Sequence, residues 1–394
     1  MKYSFLIGSG FSVPKNLPTV GKINTTFTSL SADEIFVGSD RTVFISEDED
    51  PNGWMTQQPK EFFVEFIASY CEKIKGKNNF QYEKFYDFYY SYLRGEENEF
   101  IDNFCEDYRK RKKLTNEIDN KNLVSEFNNI FVQLLRSTLG KREFYENTIH
   151  LMNYYPYDNL ISYLNWLTDK GITVDIHTLN HDLLFEHIGF NTSLWSKFCD
   201  GFSESGSKYY GRFKVEQPIG KKYMVRLRCF QNYYSLPIRL YKLHGSIDMY
   251  SFDLSWPNPD RTRIKGDYGV WDYCKEVYNG HKAIFEYKNG FSEKFPDFLS
   301  GTTEKIRNYG DEYYQVLFDH FKNNLEKADK LIVIGYGFWD SGINEILLDK
   351  YIARGGEATV IDPWKSESEF YKNHSFNHLQ KDIANVTLEE FKNI

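Results

Sequence analysis

The sequence predicts an α/β protein: a mostly parallel sheet with helices on both faces, carrying a largely α-helical insertion. Three observations lead there. Continuous apolar runs, such as YSFLI at 3–7 and LIVI at 331–334, end directly in glycine, as strands buried on both faces do. After residue 170, strand, turn and helix alternate. Between about 58 and 168 the apolar period switches to three- and four-residue spacing, with little β character.

In chain order, the first strand runs into Gly8 and a polar, Pro-bearing segment follows to about residue 30. Residues 31–53 read as a small hairpin or ordered loop, with Asn52-Gly53 supplying the turn. In KEFFVEFIASYCEKI, Phe62, Phe63, Phe66, Ile67, Tyr70 and Ile74 share one helix face. That aromatic stripe imitates a base-stacking platform, but stripes at this spacing usually form a core. GITVDIHTLN is a strand ending at Asn180, and Asp182 is placed to N-cap the helix of DLLFEHI. IRLYKLHGSID is a further strand-to-turn junction, followed by LIVIGYGFWDSGINEILL and the last strand of GGEATVIDP. Residues 195–330 yield only a strand near 238–243 and a helix near 311–327. The expected domains are 1–30 with 169–394 for the sheet, and 31–168 for the helical insertion.

Composition narrows the function. Net charge is −8, so no global cationic field holds nucleic acid. The run Arg109-Lys110-Arg111-Lys112-Lys113 reads as a solvated helix face, with phosphate or partner docking as the alternative. Cys71, Cys105, Cys199, Cys229 and Cys274 are scattered and form no C-x-x-C, so neither a disulfide framework nor structural zinc is expected. Free thiols, and an N-terminus without a long apolar core or cleavage site, lead to the expectation of a cytoplasmic protein with no membrane span. The 18% aromatic content suits large cores and an oligomer interface.

Five expected strands end at Gly8, Asn180, His244, Gly335 and Asp362. In a parallel sheet those ends share one edge, where ligands bind. Gly8-x-Gly10 is not the dinucleotide fingerprint, since Val13 stands where the third glycine belongs. Read alone it is either a tight turn or a backbone approach to pyrophosphate. Asn344 is either a ribose contact or a helix cap. Asp362 either accepts from an adenosine moiety or caps a turn. His177 and His181, four apart, cross a strand-to-turn junction rather than share a helix face, so no metal site is expected. No G-x-S-x-G elbow is present.

GSGFSVPKNLPT, TLNHD (178–182), KLHGS (242–246) and IGYGFWDSGIN (334–344) resemble, in order, the four signature blocks of sirtuin-like domains, most closely the bacterial defence-associated branch. The resemblance implies a Rossmann-like sheet with NAD lying across the strand ends. It implies that Gly8, Ser9, Gly10, Phe11 and Ser12 wrap phosphates, Asn180 sits beside the nicotinamide ribose and Asp182 shapes that pocket. His244 would be the general base, and Gly335, Tyr336, Gly337 and Asn344 would hold the adenosine half. The zinc cysteines and the Arg-bearing loop of deacetylating sirtuins are missing, which favours water as acceptor. The implied activity is an NAD glycohydrolase (NADase) yielding nicotinamide and ADP-ribose. Its implied setting is antiviral defence by abortive infection, as a homo-oligomer or with a HerA-type hexameric ATPase. The alternatives are protein deacylation or ADP-ribosyl transfer, and a non-catalytic NAD or ADP-ribose sensor.

Overall fold

The computed structural model describes residues 1–38, 43–45, 55–114, 119–140, 154–207, 209–214, 222–253, 261–265, 273–279, 282–286, 296, 298 and 312–394. The chain divides into two compact units: Met1–Leu17 with Arg142–Phe298 and Tyr309–Ile394, and Pro18–Lys141 with Leu299–Asn308. These boundaries differ from the expected 30/31 and 168/169. The helix Asp158–Asp169, expected in the insertion, packs Leu160, Ile161, Leu164 and Leu167 into the core of the first unit.

That core belongs to a seven-stranded sheet: β1 (Lys2–Ile7), β2 (Thr173–Thr178), β3 (Phe198–Cys199), β4 (Ile238–Lys242), β5 (Lys330–Ile334), β6 (Ala358–Ile361) and β7 (Asn377–Leu379). The spatial order is β7-β6-β5-β1-β2-β4-β3, and all neighbours pair in parallel. Side chains alternate between two covered faces, which explains why strands such as β1 and β5 are largely apolar on both. Tyr3, Phe5, Ile7, Val174 and Ile176 join the core with helix Asp158–Asp169. The next residues in register point the other way, where His177 packs on Phe321 of helix Glu312–Lys327. Helices therefore cover both faces, as expected. The order reverses at β1: β2 and β4 lie to one side, β5, β6 and β7 to the other. This is the topological switch point at which open α/β sheets bind ligands.

The region that the sequence left open also holds two antiparallel sheets. One is ordered Met249–Asp253, Arg261–Lys265, Arg228–Tyr233, Gly201–Ser203; the other Lys282–Glu286, Tyr273–Asn279, Tyr209–Lys214, Lys222–Arg226. Strands such as RTRIK and KYMVR are short and charged, so they read as surface segments, although Arg263 and Lys265 are buried along with Ile264.

The second unit is helical, with helices Val20–Ser29, Gln57–Lys73, Tyr82–Leu93, Glu99–Lys112 and Asn120–Leu139. Its aromatic stripe is core. Phe127 stacks on Phe63 at 5.0 Å and meets Phe66 and Tyr89 edge-on at 5.0 and 4.9 Å. Phe62, Phe63, Phe66, Ile67 and Tyr70 are buried, while Ile74 is half-buried. A short hairpin pairs Phe36–Val37 with Val43–Phe44, and Gln133 accepts from the Val43 amide at 2.9 Å. Asn52-Gly53 lies outside the described residues. The basic run ends helix Glu99–Lys112, where cations suit the dipole. Arg111 pairs with Glu65 and Asp107, and Lys112 with Glu61 and Glu65, which makes it a paired surface face. Among the described residues no helix is long and apolar enough to cross a membrane.

Candidate active site at the carboxyl edge of the sheet

Four adjacent strands, β5, β1, β2 and β4, deliver Gly335, Gly8, Asn180 and His244 to the same edge, with Asp362 one strand further along at the end of β6. From β6 to β4 there are four inter-strand steps, roughly 19 Å at ~4.8 Å each. That row suits an extended ligand.

The glycines serve contact between the first and fourth motifs. Gly8 N donates to the Ile334 carbonyl and Gly10 N to the Gly335 carbonyl, both at 3.0 Å. A Cβ on Gly8 would lie 2.6 Å from the Gly335 oxygen, and one on Gly10 2.7 Å from the Gly335 Cα. The backbones interlock with no room for side chains. The Phe11 amide donates to the Gly8 carbonyl at 3.0 Å as the segment turns into the 3-10 helix Ser9–Lys15. The amides of Gly8, Gly10 and Phe11 are thus engaged by protein carbonyls. Phe11 faces inward too: its ring packs on Tyr157 and Phe185, and its carbonyl accepts from the Tyr157 hydroxyl at 2.6 Å.

Ser12, Asn180 and Asp182 form one buried hydrogen-bonded group. The Asn180 amide donates to the Gly8 carbonyl at 3.0 Å and to Ser12 Oγ at 3.2 Å. Its donor side is engaged, so any role toward a ligand falls to Oδ1. Ser12 Oγ donates to Asp182 Oδ2 at 2.8 Å, and Asp182 Oδ1 accepts from Leu184 N at 2.9 Å. Asp182 thus sits one residue ahead of the capping position of helix Leu184–Asn191, which Leu183 occupies, and binds the Leu184 amide rather than capping as expected. Burial raises the Asp182 pKa, while Lys242 and its hydrogen bonds oppose the rise.

His244 is almost wholly buried in the turn after β4. The turn is fixed on both sides: Leu243 N donates to the Thr178 carbonyl at 3.0 Å, and Gly245, at φ +76°, returns its amide to Lys242 O at 3.1 Å. The imidazole Nε2 lies 3.4 Å from Asp340 Oδ2, and its ring centroid lies 6.2 Å from that of His181. His177 belongs to a different neighbourhood. It stacks on Tyr241 and meets Asn324 at 3.2 Å, and burial drives its pKa down to about 3. Among the described residues no three His, Cys, Asp or Glu side chains gather as a metal site.

In the fourth motif most side chains hold the loop itself. The buried Tyr336 hydroxyl donates to Asn344 Oδ1 at 3.0 Å, and Asn344 Nδ2 donates to the Phe338 carbonyl at 2.9 Å. Asn344 thus braces the loop, while Asp340 caps the helix. The Gly337 carbonyl accepts from Ser366 Oγ at 2.5 Å, tying this loop to the one after β6. Half-buried Asp362 accepts from Trp364 N at 2.8 Å and has a raised pKa, burial being the main cause.

Sequence reasoning missed two features. One is Asp340, which reads only as a residue before a helix. The other is the buried charge cluster beneath the site. Glu186 lies 3.3 Å from Lys242 and 3.0 Å from Lys265, which also reaches Asp200 at 3.2 Å. Lys242 Nζ also donates to the Asp182 carbonyl. Lysines in strands read as surface residues, and nothing in the local pattern signals that these two are interior.

No protein-family model and no curated protein matches the chain. Solved structures do resemble it. A Sir2 homologue mutant bound to 2'-O-acetyl-ADP-ribose aligns with 100% of this chain and 91% of its own, at 11% identity and TM-score 0.36. Another Sir2 homologue mutant, bound to ADP-ribose, covers 99% and 91% at 11% identity and TM-score 0.36. A Sir2 complex with a p53 peptide and NAD+ covers 100% and 91% at 12% identity and TM-score 0.33. The α/β class of this chain rests on its own strand order and register: a parallel, doubly covered sheet whose switch point gathers GSGFS, TLNHD, KLHGS and IGYGF.

Proposed function

We infer that the chain is an NAD glycohydrolase, cleaving NAD to nicotinamide and ADP-ribose. The observation that carries this reading is that adjacent strands deliver Asn180 and His244 to the same carboxyl edge at the switch point, where Asn180 donates to the Gly8 carbonyl. Breaking the glycosidic bond sends its electron pair to nicotinamide and develops oxocarbenium character at the ribose. Water then bonds to that carbon and gives up a proton. Asn180 Oδ1 orients the ribose or the water without adding charge. His244 takes the proton, work suited to an imidazole of ordinary pKa ~6.5. The adenosine half extends toward β6 and Asp362. Ser12 and Asp182 act on the substrate only through Asn180.

In this reading the enzyme works in the cytoplasm as a defence effector that depletes NAD. The helical unit serves a homo-oligomer or a HerA-type ATPase partner. The test incubates the purified full chain with NAD, alone and with candidate partners, and resolves nicotinamide, ADP-ribose and cyclic products. His244→Ala is expected to lower turnover about 10²–10⁴-fold, and Asn180→Ala is expected to lower it too. Binding of NAD without turnover would replace this reading with that of a sensor. Nicotinamide release that depends on an acylated peptide would replace it with a deacylase.

A further inference from the structure

The two carboxylate oxygens of Asp340 do different things. Oδ1 accepts from the amides of Gly342 and Ile343 at 3.0 and 3.3 Å, capping helix Ser341–Leu347. Oδ2 approaches His244 Nε2 at 3.4 Å. The carboxylate is held still from several directions. The Asp340 amide lies 3.3 Å from the Tyr336 hydroxyl, its carbonyl accepts from Asn344 N at 3.0 Å, and Phe338 takes φ +59° within the loop.

We propose that Asp340 is a positioning residue that orients the His244 imidazole and stabilises its protonated form, with Nε2–H directed at Oδ2. A 3.4 Å approach is longer than a formed hydrogen bond, but well within the distance at which a carboxylate stabilises an imidazolium. His181 also lies beside the ring, 6.2 Å between centroids, and a charge there would oppose one on His244. Lys242, two residues earlier on β4, is engaged by Glu186 and the Asp182 carbonyl. The inference rests on the reading of His244 as the base, but its first test does not.

Asp340→Asn separates the two tasks, because asparagine caps helices as well as aspartate does but carries no charge. In the full chain with isotope-labelled histidine, the His244 resonances, assigned with His244→Gln, are titrated in wild type and Asp340→Asn. The His244 pKa is expected to fall by about one unit or more in the variant, with a changed tautomer balance at high pH. Unchanged pKa and tautomer would overturn the proposal, whether or not the protein consumes NAD. If it does, the acid limb of kcat/KM moves to lower pH by the same amount, whereas a purely structural role would leave the limb in place. Asp340→Ala, which also loses the cap, is expected to lower thermal stability more than Asp340→Asn does.

Discussion

At the scale of single residues, the tightest constraint is steric rather than catalytic. Gly335 sits at φ +62°, and a Cβ there would lie 2.5 Å from the Gly10 carbonyl carbon. The left-handed backbone costs a non-glycine residue about 1–2 kcal/mol, and overpacking a close contact adds about 1–3 kcal/mol. Gly335→Ala is therefore expected to destabilise the sheet unit by about 2–5 kcal/mol, seen as a lower denaturation midpoint. Gly10→Ala has the steric penalty alone, since Gly10 has no positive φ, and is expected to cost less. A wild-type midpoint for Gly335→Ala would mean that the two loops do not interlock as described. The residue scale also marks where sequence reasoning stopped. GSGFS, TLNHD, KLHGS and IGYGF were visible as strand-end motifs, because each follows an apolar run. Which glycine atom touches which carbonyl was not visible, because the contact joins positions more than 300 residues apart.

At the scale of elements, parallel strands buried on both faces could be read from the sequence because β1 and β5 need apolar residues on both sides. β2 and β4 depart from that pattern, with Asp175 and His177 interior in the first and Lys242 in the second. His177 is held by Asn324, Tyr241 and Phe321 between the sheet and helix Glu312–Lys327. Burial lowers its pKa to about 3, against ~6.5 in an unfolded chain. The folded form therefore resists a proton that the unfolded form accepts. Its contribution is fully present above pH ~6.5 and shrinks as pH falls toward 3. Between pH 8 and pH 5 the loss from this one group is about 2 kcal/mol. His177→Phe keeps the ring packing and removes the titration, so the stability difference between pH 8 and pH 5 is expected to shrink by about that amount in urea melts. An unchanged pH dependence would show that His177 is already protonated, or exposed, in the folded protein. Glu186 acts in the same direction at lower pH. Burial alone would raise its pKa, but Lys242 and Lys265 prevail and hold it near 2. Its contribution is present above the ordinary carboxylate range and is lost as pH falls toward 2. Neither buried lysine announced itself in the sequence, because a lysine in a strand is recognised as interior only once its carboxylate partners are located.

At the scale of the whole molecule, two units with separate cores bear on how the chain unfolds. The sheet unit is built on long-range parallel pairing around aliphatic strands. The helical unit depends on a phenylalanine and tyrosine cluster of mainly local helices. Chains with two cores commonly depart from two-state unfolding. The tryptophans supply a way to see it. Six of the seven, at 166, 195, 256, 271, 339 and 364, fall in the sequence assigned to the sheet unit, and only Trp54 falls in the helical one. Tryptophan fluorescence therefore reports chiefly on the sheet unit. Helical circular dichroism draws heavily on the helices described within Pro18–Lys141. In guanidinium titrations the two probes are expected to give separate midpoints, and calorimetry to give a total enthalpy above the van't Hoff value for either transition. If the proposed function holds, adding NAD raises the fluorescence midpoint more than the dichroism midpoint, because the proposed site lies in the sheet unit and a ligand stabilises the state that binds it. Coincident transitions that NAD shifts equally would mean that the two cores unfold as one.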